Sequence, residues 1–365
     1  MNESKRSFCA RCLTPSTRPR VQFDSEGVCN ACRWHEKKQA EIDWPARKEK
    51  LKAICDQFRG NYPYDCIVPC SGGKDGTYVS WQLKHEYGMN PLCITFAPPL
   101  PTGIGQKNLQ NFINSGFNHL MITPDPVKYR EMCRWYFVNQ GRPKWPFVMG
   151  ISSAIIQIAL RFDIQLIVYG EQGETVYGGA QETEALQKMD RDFLKDIYYE
   201  GNDPTFWGFW WTLPTIAQLD GLYVTWWSLF EDWDPEVHAK HAKQHCGFEM
   251  LVGGSIGTFT NYAQLDDALQ DLHAYMVFLK FGFGRCTSDA SIEIRRGRMS
   301  REQGIQVVNK LDGTFPWEYL GLYSSFLDIP KDEFMRVLNH FANQDLLMPG
   351  DGIGIKPWVR KEPCA

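Results

Sequence analysis

Cys9 and Cys12, then Cys29 and Cys32, form two Cys-x2-Cys pairs separated by sixteen residues. Each pair lets two thiolates reach one ion from a tight turn, and two pairs complete a closed, tetrahedral four-sulfur site. Zn2+ is the expected ion, with an iron–sulfur cluster as the alternative. A closed site has no position left for a substrate, so its expected role is to hold the segment folded. The second chemical pattern is Ser71-Gly72-Gly73-Lys74-Asp75, which follows a short apolar run, YDCIVPC (64–70), and opens the helical pattern GTYVSWQLKHEYG. Two glycines let the backbone approach a ligand closely, and the N–H groups at a helix start suit phosphate oxygens. Lys74 adds positive charge, and Asp75 is placed to hold Mg2+ bound to phosphates. The pattern is not a Walker A loop, because Asp follows the lysine and the spacing differs.

The elements around these motifs must put them at the end of a sheet. Residues 46–58 have helical spacing; 64–70, 91–97, 119–123 and 164–170 read as strands; 105–115, 126–139 and 150–162 read as helices. Strands alternating with helices predict an α/β fold with a doubly wound, mainly parallel sheet. Beyond it the expected helices are one capped by Asp234 and ended by Gly247, a longer one in LDDALQDLHAYMVFLKFGFG, one over 301–311 with a Ser300/Gln303 capping box, and one over 331–343. The expected division is a zinc-binding module at 1–45, an ATP-handling domain at 46–235 and a mostly helical region at 236–365 that contributes to the acceptor site. Residues 171–234 carry six tryptophans and little periodicity; Trp207, Trp210, Trp211, Trp226, Trp227 and Trp233 are read as core or subunit contact, with stacking on a sugar or base as the sharper reading.

Apolar residues make up 43% of the 365 and charged residues 22%, a soluble globular profile. No stretch reads as a membrane span and no export signal is seen, so a cytoplasmic setting is expected. In that setting twelve cysteines are thiols and metal ligands rather than disulfides. The net charge of −4 argues against a nucleic-acid binder. Residues 1–60 are locally basic, with thirteen Lys/Arg against eight Asp/Glu, read as a solvated module surface or, more sharply, a site for an anionic partner.

SGGKD after a strand resembles the PP-loop of the ATP pyrophosphatases, an adenine nucleotide alpha hydrolase-like fold that cleaves ATP between its α and β phosphates. That loop usually reads SGGxDS. Here Gly76 stands where the serine would be and Thr77 follows, so Thr77 or the backbone alone would have to serve. A narrower resemblance rests on CxRCLTPSTRPR…FDSEGVCNACR (9–33), YDCIVPCSGGKDGTYV (64–79), NPLCITFAPPLPT (90–102), VYGEQGETVYGG (168–179) and LKFGFGRCTSDASIEIRRGRMSREQ (279–303). These segments resemble the N-acetyl sugar amidotransferases of bacterial lipopolysaccharide and surface-glycan biosynthesis. The resemblance implies ATP, Mg2+ and a zinc-ribbon-like module, and conversion of an acetamido group on a nucleotide-linked sugar to an acetamidino group.

It also implies roles for further residues. Ser71, Gly72, Gly73, Lys74, Asp75, Gly76 and Thr77 would hold the phosphates. Thr95 and Phe96, ending the second strand, would sit at the adenosine, unless they are ordinary core, and Gly170 would help bind the cofactor. Glu171 would touch Mg2+ or substrate, unless it is a solvated loop carboxylate. Lys280 and Arg285, in KFGFGR, would neutralise charge on the phosphates, unless they are surface groups at a helix end. Arg295, Arg296, Arg298 and Arg301 would bind an anionic sugar nucleotide, or form a solvated face. His238, His241 and His245 read as a solvated face rather than a metal site, and Cys70 as a buried strand-end thiol. Cysteine is absent from position 2 and from any Gly-x-Cys-x-Gly elbow, so ammonia is expected free or from a separate glutaminase, and the resemblance favours a partner with an ammonia channel. The competing reading is a PP-loop tRNA-modifying enzyme of the thiolation type; a zinc-ribbon interaction protein with a degenerate ATP site is the non-enzymatic one.

Overall fold

The computed structural model describes residues 7–60, 63–173, 185–199, 208–350 and 356–364. Two helices, α1 (Asn30–Ala40) and α2 (Trp44–Phe58), lead from the cysteine pairs to the sheet. Asp43 starts α2 by accepting the Ala46 N–H at 2.9 Å, with Pro45 in the first turn. There follow β1 (Cys66–Pro69), α3 (Lys74–His85), β2 (Pro91–Phe96), α4 (Gly103–Asn114), β3 (Asn118–Ile122), α5 (Pro126–Gln140), α6 (Trp145–Arg161) and β4 (Leu166–Tyr169). Next are β5 (Gln187–Lys188), α7 (Arg191–Tyr198), α8 (Ile216–Leu219) and β6 (Tyr223–Trp226). The remainder is helical: α9 (Pro235–Cys246), α10 (Leu269–Phe281), α11 (Arg285–Arg295), α12 (Arg301–Leu311), α13 (Leu320–Leu327) and α14 (Lys331–Phe341), closed by the antiparallel pair β7 (Leu347–Pro349) and β8 (Trp358–Arg360).

The main sheet runs in the order β3-β2-β1-β4-β6-β5. Its first five strands pair in parallel, and only the short β5 runs antiparallel at the edge. Successive side chains of a strand point to opposite faces. Ile67, Leu92 and Ile94 accordingly join one core with α5, α6 and α10, whereas Cys66, Val68 and Cys93 join another with α2, α3 and α4. The sheet is therefore covered on both sides, the doubly wound α/β arrangement expected from the alternating pattern.

The strand order matters for function. From β1 the chain steps outward to β2 and β3, then returns to the other side of β1 as β4. Helices cross on opposite faces on either side of that point, and a crevice opens beyond the carboxyl ends of β1 and β4. SGGKD leaves the end of β1, and Gly170 and Glu171 leave the end of β4.

The aromatic segment differs from its weak sequence pattern. It supplies a fifth parallel strand, β6, between β4 and β5. Trp211 is buried in the first core, and Trp227 and Trp233 in the second. Trp207 and residues 174–179 of the motif at 168–179 lie outside the described residues. No helix among the described residues is long and apolar enough to cross a membrane.

Candidate active site

The Gly-rich loop is shaped by close backbone packing. Gly72 has φ +77°, and a Cβ there would come within 2.4 Å of the Leu109 backbone on α4. Only glycine meets both constraints. Gly73 caps α3 in extended geometry without a side-chain acceptor, which leaves the first N–H groups of α3 directed at the crevice mouth. A Cβ at Gly76 would lie 2.9 Å from both Pro69 O and the Cys70 Cα, so α3 rests directly on the end of β1. Position 76 has no room for the serine that the resemblance leads one to expect. Thr77 does not replace it: it is buried, with Oγ1 3.9 Å from Cys70 Sγ, and does not line the crevice.

The crevice has a volume of about 210 Å³. One wall is the loop from Pro69 to Gly76 with Glu171. The C-terminal part of the chain adds Phe248, Tyr262 to Asp266 and Arg285 to the lining. Asn108 also lines it, its side chain bonded both ways to the Glu249 backbone at 3.0 and 2.7 Å. Lys74 is nearly buried, pairs with Asp75 Oδ2, and sits 5.8 Å from the centre of the Tyr262 ring. Arg285 is held by Asp289 at 2.9 Å, and Asp289 also accepts from the Thr258 and Thr260 hydroxyls at 2.6 and 2.8 Å. A Cβ at Gly170 would touch Trp233 at 2.8 Å and stand 3.6 Å from the Asp75 Cβ, so glycine there lets β4 approach the loop.

Asp75 is the electrostatic centre. Burial opposes its ionisation, but the Lys74 charge and a hydrogen bond with His238 outweigh burial and hold the carboxyl at about 2. His238 Nδ1 is 3.1 Å from Asp75 Oδ1, and Nε2 is 3.4 Å from Glu231 Oε1. Against the cost of its burial, these two carboxylates raise the His238 pKa. His238 is 1% exposed and so is not part of a solvated face; His245 is exposed and His241 half-buried. Burial pushes the Cys70 thiol up to about 12, which removes it as a nucleophile at neutral pH.

Several expected site residues lie elsewhere. Thr95 is buried and its hydroxyl donates to Cys70 O at 2.5 Å. Phe96 is core, edge-on to Tyr129 and Trp211. Neither lines the crevice. Lys280 donates to Gln140 O at 2.9 Å on α5, because α10 ends before the Gly282 bend that turns Arg285 toward the crevice. Arg296 and Arg298 are committed to Asp232, Asp234 and Glu293, and Arg295 reaches Cys12 Sγ at 3.7 Å. Of the three, Arg295 is the one that meets the N-terminal module.

In that module the Sγ atoms of Cys9, Cys12, Cys29 and Cys32 lie within 4.8 Å of one another. The Cys9–Cys32 and Cys12–Cys29 separations are 3.8 and 3.6 Å, close to the roughly 3.8 Å edge of a tetrahedron with Zn–S bonds of about 2.3 Å. Backbone N–H groups of Arg11, Thr14 and Cys29 point at these sulfurs at 3.5, 3.4 and 3.2 Å, as thiolate ligands require. The donor set fits one zinc ion.

Comparison with known proteins bears on the C-terminal wall of the crevice. Residues 256–352 match the family model described as LPS biosynthesis protein WbpG-like, C-terminal domain. The surface-polysaccharide resemblance read from the sequence is thereby borne out in this segment, which contains Tyr262 to Asp266 and Arg285. An uncharacterized protein of Methanocaldococcus jannaschii, MJ1599, is 27% identical over 92 residues, which is 24% of this chain and 31% of that one. The chain thus spans about a third of the length of that relative. Among solved structures, an NMN synthetase from Francisella tularensis covers 38% of this chain and 58% of its own at 12% identity and a TM-score of 0.28. A predicted subunit of tRNA methyltransferase from Methanocaldococcus jannaschii covers 60% and 88% at 14% identity, also with a TM-score of 0.28.

Proposed function

We propose that this chain is an ATP-dependent, AMP-forming amidotransferase that converts an acetamido group of a nucleotide-linked sugar to an acetamidino group. One observation carries the reading. The SGGKD loop at the β1/β4 switch point lines the crevice, and residues of the WbpG-like segment, Tyr262 to Asp266 and Arg285, line the same crevice, with Lys74 Nζ 5.8 Å from the centre of the Tyr262 ring. The loop read as phosphate-binding and a segment matching a polysaccharide-biosynthesis family model thus line one crevice.

In this reaction the acetamido oxygen attacks the α-phosphorus of ATP, and the bond to the bridging oxygen breaks to release pyrophosphate. The product is an O-adenylyl imidate. Ammonia attacks its carbon, the C–O bond to AMP breaks, and loss of one proton leaves the amidine. The loop N–H groups and Lys74 hold the phosphates, and Arg285 neutralises charge growing on the pyrophosphate. Asp75, with Glu171 beside the loop, would hold Mg2+, which when bound screens the phosphate oxygens. Tyr262 and its neighbours exclude water from the imidate, which water would otherwise return to the amide. Ammonia comes from a separate glutaminase. The four-cysteine site would hold zinc and takes no part in these steps.

Some of the basic charge of the first 60 residues is committed within the chain rather than offered to a nucleic acid. Arg11, Arg33 and Lys38 are paired with Glu36, Asp24, Glu26 and Asp232. The test is release of AMP and pyrophosphate from Mg-ATP and ammonium in the presence of a panel of diacetamido sugar nucleotides or bulk tRNA. AMP release with one sugar, reduced at least about 100-fold by Lys74→Ala, is expected. Release with tRNA and with no sugar would overturn the reading.

A further inference from the structure

The His238 ring is fixed on every side. It stacks on Tyr78 with centroids 4.2 Å apart and planes at 23°, and Trp233 meets it edge-on at 4.2 Å. Its two nitrogens face two carboxylates, Asp75 on α3 and Glu231 before α9. The other Glu231 oxygen accepts the Tyr78 hydroxyl at 3.0 Å, and Tyr78 is also on α3. Tyr78, Glu231 and His238 therefore close a ring of contacts, and that ring reaches the crevice through Asp75 Oδ1. If packing were the only demand at this position, an apolar side chain would meet it without the cost of burying polar groups. The arrangement also divides the labour of the carboxylate. Oδ1 is held from behind by His238, and Oδ2 meets Lys74, which lines the crevice.

We propose that His238 is a positioning residue for Asp75, fixing Oδ1 so that Oδ2 is presented to a divalent ion carried by the phosphates. This rests on the reading of Asp75 as the carboxylate that takes that ion. A carboxylate free to rotate would satisfy Lys74 as well, so the anchor matters only when the metal arrives and Lys74 turns to the phosphates. His238 touches no reacting atom; it acts through Asp75.

The test uses the full chain and manganese pyrophosphate as the probe, with binding measured by titration calorimetry, so it does not depend on turnover. In His238→Asn the amide nitrogen stands near the place of Nδ1 and keeps the bond to Asp75. In His238→Gln it reaches toward Glu231 and loses that bond. Gln is expected to weaken manganese pyrophosphate binding about tenfold, and Asn to stay within about threefold of wild type, at equal melting temperatures. Binding by the Gln variant at the wild-type level overturns the inference, as does a loss that follows melting temperature rather than the hydrogen bond. A wild-type measurement guards against misfolded variants: the His238 ring N–H resonance should shift when magnesium pyrophosphate is added, and an unmoved signal counts against the inference. If binding behaves as expected but no acceptor yields AMP, the inference stands and the proposed reaction falls. If wild-type protein binds no manganese pyrophosphate, both fall.

Discussion

Gly76 shows how much of a motif is packing rather than chemistry. The resemblance makes this position a missing hydroxyl, but the backbone of Pro69 and Cys70 already fills the space a side chain would take. Replacing Gly76 by Ala should raise helix propensity by about 1 kcal/mol, and overpacking against rigid backbone should cost about 1–3 kcal/mol. Overpacking is expected to win, so urea unfolding should find Gly76→Ala less stable than wild type; equal or greater stability would mean that α3 lifts freely from β1. At this scale the contiguous part of the site was legible. Ser71 to Asp75 are consecutive, and their glycines state their own purpose. Tyr262 and Asn108 were not, since nothing local marks a residue that meets the loop only after the chain has folded back. His238 left a signal that was misread. Lys240 and Lys243 suggested a solvated helix, but His238 shares its face with Ala239, Ala242 and Cys246, all buried.

Elements with strong caps were read correctly. Asp234 and Gly247 bound α9, and Ser300 with Gln303 forms the capping box of α12. α11 escaped because its buried face is Thr287, Asp289 and Ser291 as well as Cys286 and Ala290, and no capping side chain marks its start at Gly284. Those polar groups are satisfied by partners far away in sequence. The N-terminal module depends on this helix. Leu13 N–H donates to Ser291 Oγ at 3.3 Å, Arg18 to Ser288 Oγ at 3.1 Å, and Leu13 packs with Cys286, Ala290 and Val308. α11 also begins with Arg285, so a ligand site built for folding supports one wall of the crevice. Cys12→Ser is expected to reduce bound zinc from one per chain to well below one, measured by atomic absorption. The melting temperature should fall with it, as should AMP release. Full zinc content with unchanged melting would remove Cys12 from the site. Loss of zinc without loss of AMP release would separate the module from the crevice.

At the scale of the whole molecule, the crevice depends on how the C-terminal region is clasped to the sheet. The segment after β2 forms an antiparallel bridge with residue 267: Ala268 N–H donates to Leu100 O at 2.9 Å, and Thr102 N–H to Asp266 O at 3.2 Å. Asp267 is buried and accepts the Leu100 and Leu269 N–H groups at 3.2 and 3.0 Å, with Lys144 3.5 Å away. The clasp was not legible because neither half has a pattern of its own; it exists only as pairing between distant loops. Burial raises Asp267 to about 6 and Asp271 to about 7, more than Lys144 lowers them. Both values stand above the roughly 3.9 of an unfolded Asp. Their contribution is therefore fully present below about pH 4 and is lost as pH rises through 6 and 7. Asp271→Asn keeps the shape and removes the charge. Near pH 4 the variant should be about as stable as wild type, and at pH 8 more stable by on the order of 1–2 kcal/mol. Urea unfolding at intervals between those pH values reads the difference. A gap that does not widen with pH would show that Asp271 is ionised at little cost, and that the clasp does not set the alkaline limit of the fold.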